Sequence, residues 1–398
     1  MRKISIALFL SVVLSSCRID NKKVGLDIFE TIDVSLKEDD FCLSSVFTSC
    51  DIVSLESNND LLITNPNEIL FNDKYFVTYS KTDVVVFTRK GDFYSRINSI
   101  GKGPGEYEYI IDLYVDFKKE EITFIDFYNQ KILEYTLDGR FIQEIYLGFY
   151  VDAFSKIDDA KWVLYCTQAC DKTNYYLNIF DKKKEKIVSK WFPMRLNDLK
   201  YLNFWNNTSF FTSENNINFV INPYDTVYEI QGDDVDVRYV FNYGDHNIPH
   251  SFYKNSKIQD VIEFSQLAMR NKYAYNWDEF YDTKDLLFFT FKYEGKYHRA
   301  IYNKTKKTTT VIYKLANDLL INGYSFYQEK WIWPKGVYKN EIAFAMDALN
   351  FKDILNVQKE SMASNEWDDL MYKNENLKKI YQGITLINNP VIIIYHTK

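Results

Sequence analysis

Apolar positions along this chain come in short alternating runs separated by polar turns, and the unit recurs. Val84-Val-Val-Phe87-Thr-Arg-Lys-Gly91-Asp-Phe93 reads as a strand, a turn and a second strand, and Ile132-Leu-Glu-Tyr135-Thr-Leu-Asp-Gly139-Arg-Phe141 matches it almost residue for residue. Weaker copies run from Tyr176 to Lys184, Asp225 to Asp233 and Arg299 to Lys306. Each is a hairpin signal, with β-branched and aromatic residues bounded by Gly, Asp, Asn and Lys. The aromatic before the turn falls at positions 87, 135, 180, 228 and 302, spaced by 48, 45, 48 and 74. Three of these spacings are those of a propeller blade.

The long spacing holds helical signals. Ser256-Lys-Ile-Gln259 has the form of a capping box, and Ile258, Val261, Ile262, Ser265, Ala268 and Met269 follow at helical period. Removing a helical insertion of about 27 residues brings 74 back to one blade. Trp331-Ile-Trp333-Pro334 then opens a sixth unit, in which Glu341 to Leu355 and Glu366 to Ile380 read as helices, the second stopped by Gly383. Ile384 to Ile387 and Val391 to Tyr395 read as a closing hairpin around Asn388-Asn389-Pro390, with Tyr395 as the sixth marker. Asp51-Ile-Val-Ser-Leu55 precedes the first blade without a partner, and it is expected to join the last blade, hiding an edge and closing the ring. The expected fold is therefore all-β, a six-bladed β-propeller over residues 41–398 with helical insertions at about 256–282 and 340–383. The constant period argues against stacked β-sandwiches.

The N-terminal end has a different pattern. Met1-Arg2-Lys3 precedes an apolar run from Ile4 to Leu14, which ends in Leu14-Ser15-Ser16-Cys17. That order is a signal peptide over residues 1–16, and the run is too short for the ~20 apolar residues a membrane-spanning helix needs. Leu14-Ser-Ser-Cys17 resembles a lipobox, which makes Cys17 the lipid attachment site and residues 17–40, polar and mixed in charge, a lipidated tether. Diacylglycerol plus an amide-linked chain provides the two or more acyl chains that stable anchoring takes.

After the first hairpin comes Ile100-Gly101-Lys102-Gly103-Pro104-Gly105-Glu106-Tyr107. A lipobox, a hairpin of the form vFdxxGxf and this GxGPGEY segment together resemble the six-bladed β-propeller lipoproteins of anaerobic gut bacteria, relatives of the NHL-repeat propellers. The resemblance covers residues 1 to about 145 well and the later blades through their period alone. It implies a propeller on the periplasmic or cell-surface side, at the outer membrane, and brings no assigned reaction.

Composition narrows the function. Lys+Arg 48 against Asp+Glu 55 gives a net charge of −7 with the signs interspersed, so no basic stripe points to nucleic acid. Setting Cys17 aside leaves Cys42, Cys50, Cys166 and Cys170, an even number that permits two disulfides in an oxidising compartment. The close pairs 42/50 and 166/170 are the expected connectivity, with four free thiols as the other reading. No second half-site accompanies Cys166 and Cys170, so no metal site is assigned.

Gly101, Gly103, Pro104, Gly105, Glu106 and Tyr107 read in two ways: as a turn carrying the chain between blades, or as a rim loop contacting ligand. Neither a P-loop nor a GxGxxG pattern fits them. His246 and His250 have the i, i+4 spacing of a metal pair, but Pro249 lies between them and argues for a loop. Gly-x-Ser-x-Gly is absent. Asp112, Asp116 and Asp126 are carboxylates that a propeller centre could use for Ca²⁺ or acid–base work. Aromatics at 17% supply inter-blade packing or surfaces for sugar rings and partners, Trp331 and Trp333 included.

The expected function is a membrane-anchored, non-catalytic propeller scaffold binding an extracytoplasmic protein or glycan, with no cofactor and no catalytic residue assigned. The alternative is a propeller hydrolase or lyase acting on a carbohydrate or lactone, with Ca²⁺ as its candidate ion.

Overall fold

The computed structural model describes residues 29–398 except 59–60, 64–65, 67, 195–208, 214–215, 256–257, 322–325, 328–332 and 386–387. Six antiparallel sheets form six blades. Blade 1 comprises Leu70–Phe71, Tyr75–Tyr79, Val84–Thr88 and Phe93–Ile97, and blade 2 Ile110–Asp116, Glu121–Asp126, Lys131–Thr136 and Phe141–Tyr146. Blade 3 comprises Ala153–Lys156, Lys161–Tyr165, Tyr175–Asp181 and Lys186–Pro193, and blade 4 Phe210–Ser213, Asn216–Val220, Thr226–Gln231 and Asp234–Asn242. In blade 5 the first strand is split into Tyr275–Asn276 and Tyr281–Asp282, both paired to Leu286–Tyr293, and Lys296–Asn303 and Thr308–Asn317 follow. Blade 6 is Pro334–Tyr338, Glu341–Met346, Val391–Thr397 and, from the other end of the chain, Phe47–Ser54.

The expected ring closure is what forms: Val391 pairs with Ser54 and Tyr395 with Cys50. The six marker aromatics all lie on third strands. In blades 1 to 4 the pairing of third and fourth strands shifts register at the marker, between Val86/Phe87, Glu134/Tyr135, Ile179/Phe180 and Val227/Tyr228. The repeat in the sequence is thus the signature of a β-bulge, which bends and twists the strand just before the turn.

Each gap between neighbouring blades holds its own apolar core. In blade 1, Val84 and Val86 pack toward blade 2, while Val85 and Phe87 pack toward blade 6. Successive side chains on a strand point to opposite faces, so a strand buried on both sides reads as an unbroken apolar run.

Strand direction alternates within a blade, and each blade begins with its innermost strand. The first-to-second and third-to-fourth turns therefore share one face of the ring, here the turn face, and they are short. The second-to-third and blade-to-blade connections share the other, the insertion face, and carry every long excursion, including 98–109, 243–274 and 347–390.

Four expectations change. Glu30–Asp33 and Glu38–Cys42, read as tether, are strands added in parallel to the outer edges of blades 4 and 5. Apart from Glu30, which bonds Tyr302 and Lys307 of blade 5, their charged side chains are exposed, which is why the stretch looks like linker. The first insertion is helical over Val261–Arg270, and Asp260 caps it, accepting from the Ile262 and Glu263 N–H groups at 2.8 Å; it ends before Tyr275, where blade 5 begins. Ser256 of the expected capping box lies outside the described residues.

In the second insertion Glu341–Met346 is a strand, and the helices are Ala348–Ser361, Ser364–Lys373 and Glu375–Gly383. The expected closing hairpin is not seen among the described residues: Ile384 and Thr385 are not in a strand, Leu386 and Ile387 lie outside the described residues, and Val391–Thr397 pairs with Glu341–Met346 across the insertion.

The central channel as candidate functional site

The first strands of all six blades surround a central cavity of about 440 Å³. Its wall shares polar and apolar groups about equally, and its aromatic members include Phe71, Tyr114, Phe117, Phe154, Phe210, Phe280, Tyr281 and Tyr338. At the insertion-face end, where first strands begin, two carboxyls enter this wall: Glu68, just ahead of blade 1, and Asp112 in blade 2.

Tyr79, on the second strand of blade 1, joins them. Its hydroxyl donates to Glu68 Oε2 at 3.4 Å and also reaches Asp112. Asp112 accepts the Phe154 N–H at 2.7 Å and the Leu113 N–H at 2.9 Å. Both residues are half-buried and line the channel. Burial pushes Glu68 up to about 8, with repulsion from Asp112 adding to it. Burial also pushes Asp112 up to about 7, against the opposing pull of its N–H donors. Tyr79 and Tyr281, buried beside these acids, are held as phenols. A low-dielectric wall disfavours charge, and two close acids disfavour a second charge.

Near the turn-face end the chemistry is different. Lys156 is bonded to Asp116 at 2.6 Å and to Asp159 at 2.9 Å. Burial opposes the Lys156 charge, and the two carboxylates outweigh it, raising the ammonium above its usual range. Asp282, fully buried, pairs with Lys304 and lies 3.9 Å from Arg238. Back toward the insertion-face end, Glu279, one residue before Phe280, is raised by burial against the pull of Lys335 and Arg299, with Lys335 Nζ at 3.8 Å. Among the described residues no three His, Cys, Asp or Glu converge as a metal site.

Of the blade 2 carboxylates singled out from sequence, only Asp112 faces the channel wall. Asp116 serves Lys156, and buried Asp126 accepts the Glu108 and Tyr109 N–H groups at 3.2 Å each. Glu68 carried no sequence signal, because it precedes a first strand of only two residues that shows no period, and Tyr79, at the end of the second strand, is one of 32 tyrosines with nothing local to set it apart.

The GxGPGEY segment lies between blades 1 and 2, and its groups bond to one another. Glu106 Oε2 accepts the Gly103 N–H at 2.8 Å, and a Cβ on Gly101 would sit 2.0 Å from that same oxygen. Gly105, at φ +73°, lies against the Phe141 ring, its N–H donating to Glu144 at 3.2 Å and its carbonyl accepting from Tyr135. Tyr107 is fully buried, with its hydroxyl 2.9 Å from both the Thr82 and Ile97 carbonyls. These contacts tie Gly101, Gly103, Gly105, Glu106 and Tyr107 into the inter-blade turn, while Lys102 and Pro104 are exposed.

All four described cysteines are free thiols, contrary to the expected 42/50 and 166/170 bridges. Cys42 ends a strand on blade 5, while Cys50 belongs to blade 6 and points to the Leu319 carbonyl. Cys166 is buried on Asn178, and Cys170 is exposed. Cys17 and Trp331 lie outside the described residues, and Trp333 packs edge-on to Phe288. No histidine lines the channel. His250 opens a one-turn helix, His246 packs on Tyr293, His298 bonds Glu38 and His396 bonds Asp51.

Residues 29–396 match a family described as a domain of unknown function, DUF4934. The chain belongs to the DUF4934 family. Family membership thus spans the whole propeller, outer-edge strands and both insertions included. Among solved structures, a candidate exported protein from Bacteroides fragilis is similar at 17% identity and a TM-score of 0.71, over 92% of this chain and 99% of that one. A member of the DUF4221 family from Bacteroides vulgatus aligns at 10% identity and a TM-score of 0.49, over 88% and 98%. BamB from Moraxella catarrhalis aligns at 9% identity and a TM-score of 0.38, over 76% and 84%. No curated protein matches the chain.

Proposed function

We propose that this DUF4934 propeller is an exported, lipid-anchored binding protein that holds a glycan in its central channel without transforming it. One observation carries the ligand reading: a cavity of about 440 Å³ whose wall sets aromatic rings beside two carboxyls held near neutrality. Pockets of ~300–1,000 Å³ suit small ligands. Aromatic faces stack on sugar rings, and carboxylic acids that both donate and accept match hydroxyls. Export and anchoring at Cys17 rest on the signal and lipobox residues. The name of the Bacteroides fragilis neighbour accords with export. Among the described residues no helix is long and apolar enough to cross a membrane.

The test is a glycan panel read by calorimetry on wild type, Tyr281→Ala and Asp112→Asn. Binding by wild type that weakens at least tenfold in both variants, with the glycan recovered intact, supports the proposal. No binding across the panel sinks it. A second reading, a glycan or lactone hydrolase or lyase, draws on the Glu68–Asp112 pair, whose raised values leave one acid and one base available near neutral pH. Product formation lost in Asp112→Asn would favour that reading.

A further inference from the structure

We propose that four aromatic rings on the insertion face of blade 2, those of Tyr109, Phe127, Tyr128 and Tyr150, form an outer sugar-binding platform that continues the channel, so that the ligand is an oligosaccharide longer than the channel alone can hold. The inference rests on the glycan reading of the channel and adds to it a second subsite.

The first argument is position. Tyr109 ends the connection from blade 1 and leads directly into the first strand of blade 2, which carries Asp112. Tyr150 lies in the connection to blade 3, whose first strand brings the Phe154 N–H to Asp112. Phe127 and Tyr128 belong to the turn between the second and third strands of blade 2. All three connections open on the insertion face, and first strands are innermost, so the cluster begins at the channel mouth and runs outward from it. From Tyr109 to Asp112 the strand spans ~10 Å, a distance that a chain of a few sugar units bridges.

The second argument is order. Ring centroids lie 4.9 Å apart for Phe127 and Tyr150, 5.8 Å for Phe127 and Tyr128 and 5.2 Å for Tyr109 and Tyr128, which makes one continuous row. Lys81 Nζ is 5.4 Å from the Tyr109 ring centre. The backbone that carries the rings is pinned: the Phe127 N–H donates to the Tyr109 carbonyl at 2.9 Å, and buried Asp126 accepts from the Tyr109 N–H at 3.2 Å and from Asn129 Nδ2 at 2.7 Å. A platform ordered before binding escapes the entropic cost of ordering it afterwards.

The third argument is surface chemistry. None of the four rings is part of the apolar cores between blades. Tyr128 is 59% exposed, and the other three are half-buried. The hydroxyls of Tyr109, Tyr128 and Tyr150 form no hydrogen bond among the described residues, whereas those of the buried Tyr107 and Tyr135 are bonded to backbone carbonyls. A ring with an apolar face and an unmade hydroxyl matches a sugar, which presents C–H faces and hydroxyl edges. Size decides between a sugar and a protein partner. Aromatic side chains carry ~150–250 Å² each, so these four expose on the order of 300 Å². A stable protein interface covers ~800 Å² on each partner.

The experiment is calorimetry on the full-length processed protein with cello-, xylo-, manno- and galacto-oligosaccharides of one to six units, comparing wild type, the double variant Tyr128→Ala, Tyr150→Ala, and Asp112→Asn. In a series that binds, wild-type affinity should rise with length past the units the channel holds. The double variant should lose that rise, about three- to tenfold for each ring, and keep the wild-type affinity for the shortest member that binds. Asp112→Asn should weaken every length alike. A readout independent of the variants is nitration of Tyr128 in wild type by tetranitromethane, located by mass spectrometry, which the longest member should slow several-fold and the shortest should leave unchanged. Affinity that does not rise with length, a rise that survives in the double variant, or nitration that the longest member leaves unchanged overturns the platform, leaving a protein partner for these rings, while the channel reading stands. No binding by any sugar overturns both.

Discussion

At the scale of residues, the channel carboxyls set a pH dependence of known sign. Glu68 and Asp112 titrate near 8 and 7 in the folded protein, against ordinary carboxyl values near 4 in the unfolded chain. Between those limits the folded state binds more protons, so its stability falls as pH rises through that window. Glu68→Gln, which needs no proton to stay neutral, should therefore add little stability at pH 4 and most above pH 8, as read by urea unfolding across that range. A gain that is constant with pH would refute the assignment. The cysteines offer a second check. Burial, aided by Asp51, pushes Cys50 up to about 12, and burial raises the Cys166 thiol well above its usual range. Cys42 and Cys170 should react with a thiol reagent in the native protein, and Cys50 and Cys166 only on unfolding. Proximity in sequence suggested bridges here, whereas partnership depends on which sheet each thiol enters.

At the scale of elements, the Asp260 cap is the cleanest place to measure a local contribution. Asp260→Ala removes acceptors from two N–H groups and should cost about 1 kcal/mol in thermal unfolding. The helix it caps buries Phe264 and Ala268 against blades 3 and 4, so the loss should reach the whole ring. Hairpins containing the marker aromatics were legible because bulge, turn and alternation coincide in sequence. Glu341-Ile-Ala-Phe-Ala-Met346 was not: its residues favour a helix by propensity, and tertiary burial between two neighbouring blades decides for a strand. Glu30–Asp33 and Glu38–Cys42 escaped notice for the opposite reason. They are edge strands, charged on the side that faces solvent.

At the scale of the molecule, the ring depends on one seam. Blade 6 is completed by Phe47–Ser54, and its first strand meets that of blade 1 where the Ile69 N–H donates to the Lys335 carbonyl at 2.7 Å. Gly336 permits this approach, since a Cβ there would lie 1.8 Å from the Ile69 carbonyl oxygen. Gly336→Ala should force the seam apart and destabilise the protein by roughly 2–3 kcal/mol, measured by denaturant titration. A neutral result would mean that the seam can shift without loss.

Period, alternation and turn chemistry were enough to establish six blades, their third strands and the closing strand, because each is written in residues adjacent along the chain. The seam and the channel were decided only by the tertiary structure. Glu68, Tyr79 and Asp112 come from the connection into blade 1 and from one strand each of blades 1 and 2, and their raised values arise from the low-dielectric wall that the closed ring places around them. No local pattern encodes that environment, because the residues that supply it are distributed around the whole circle.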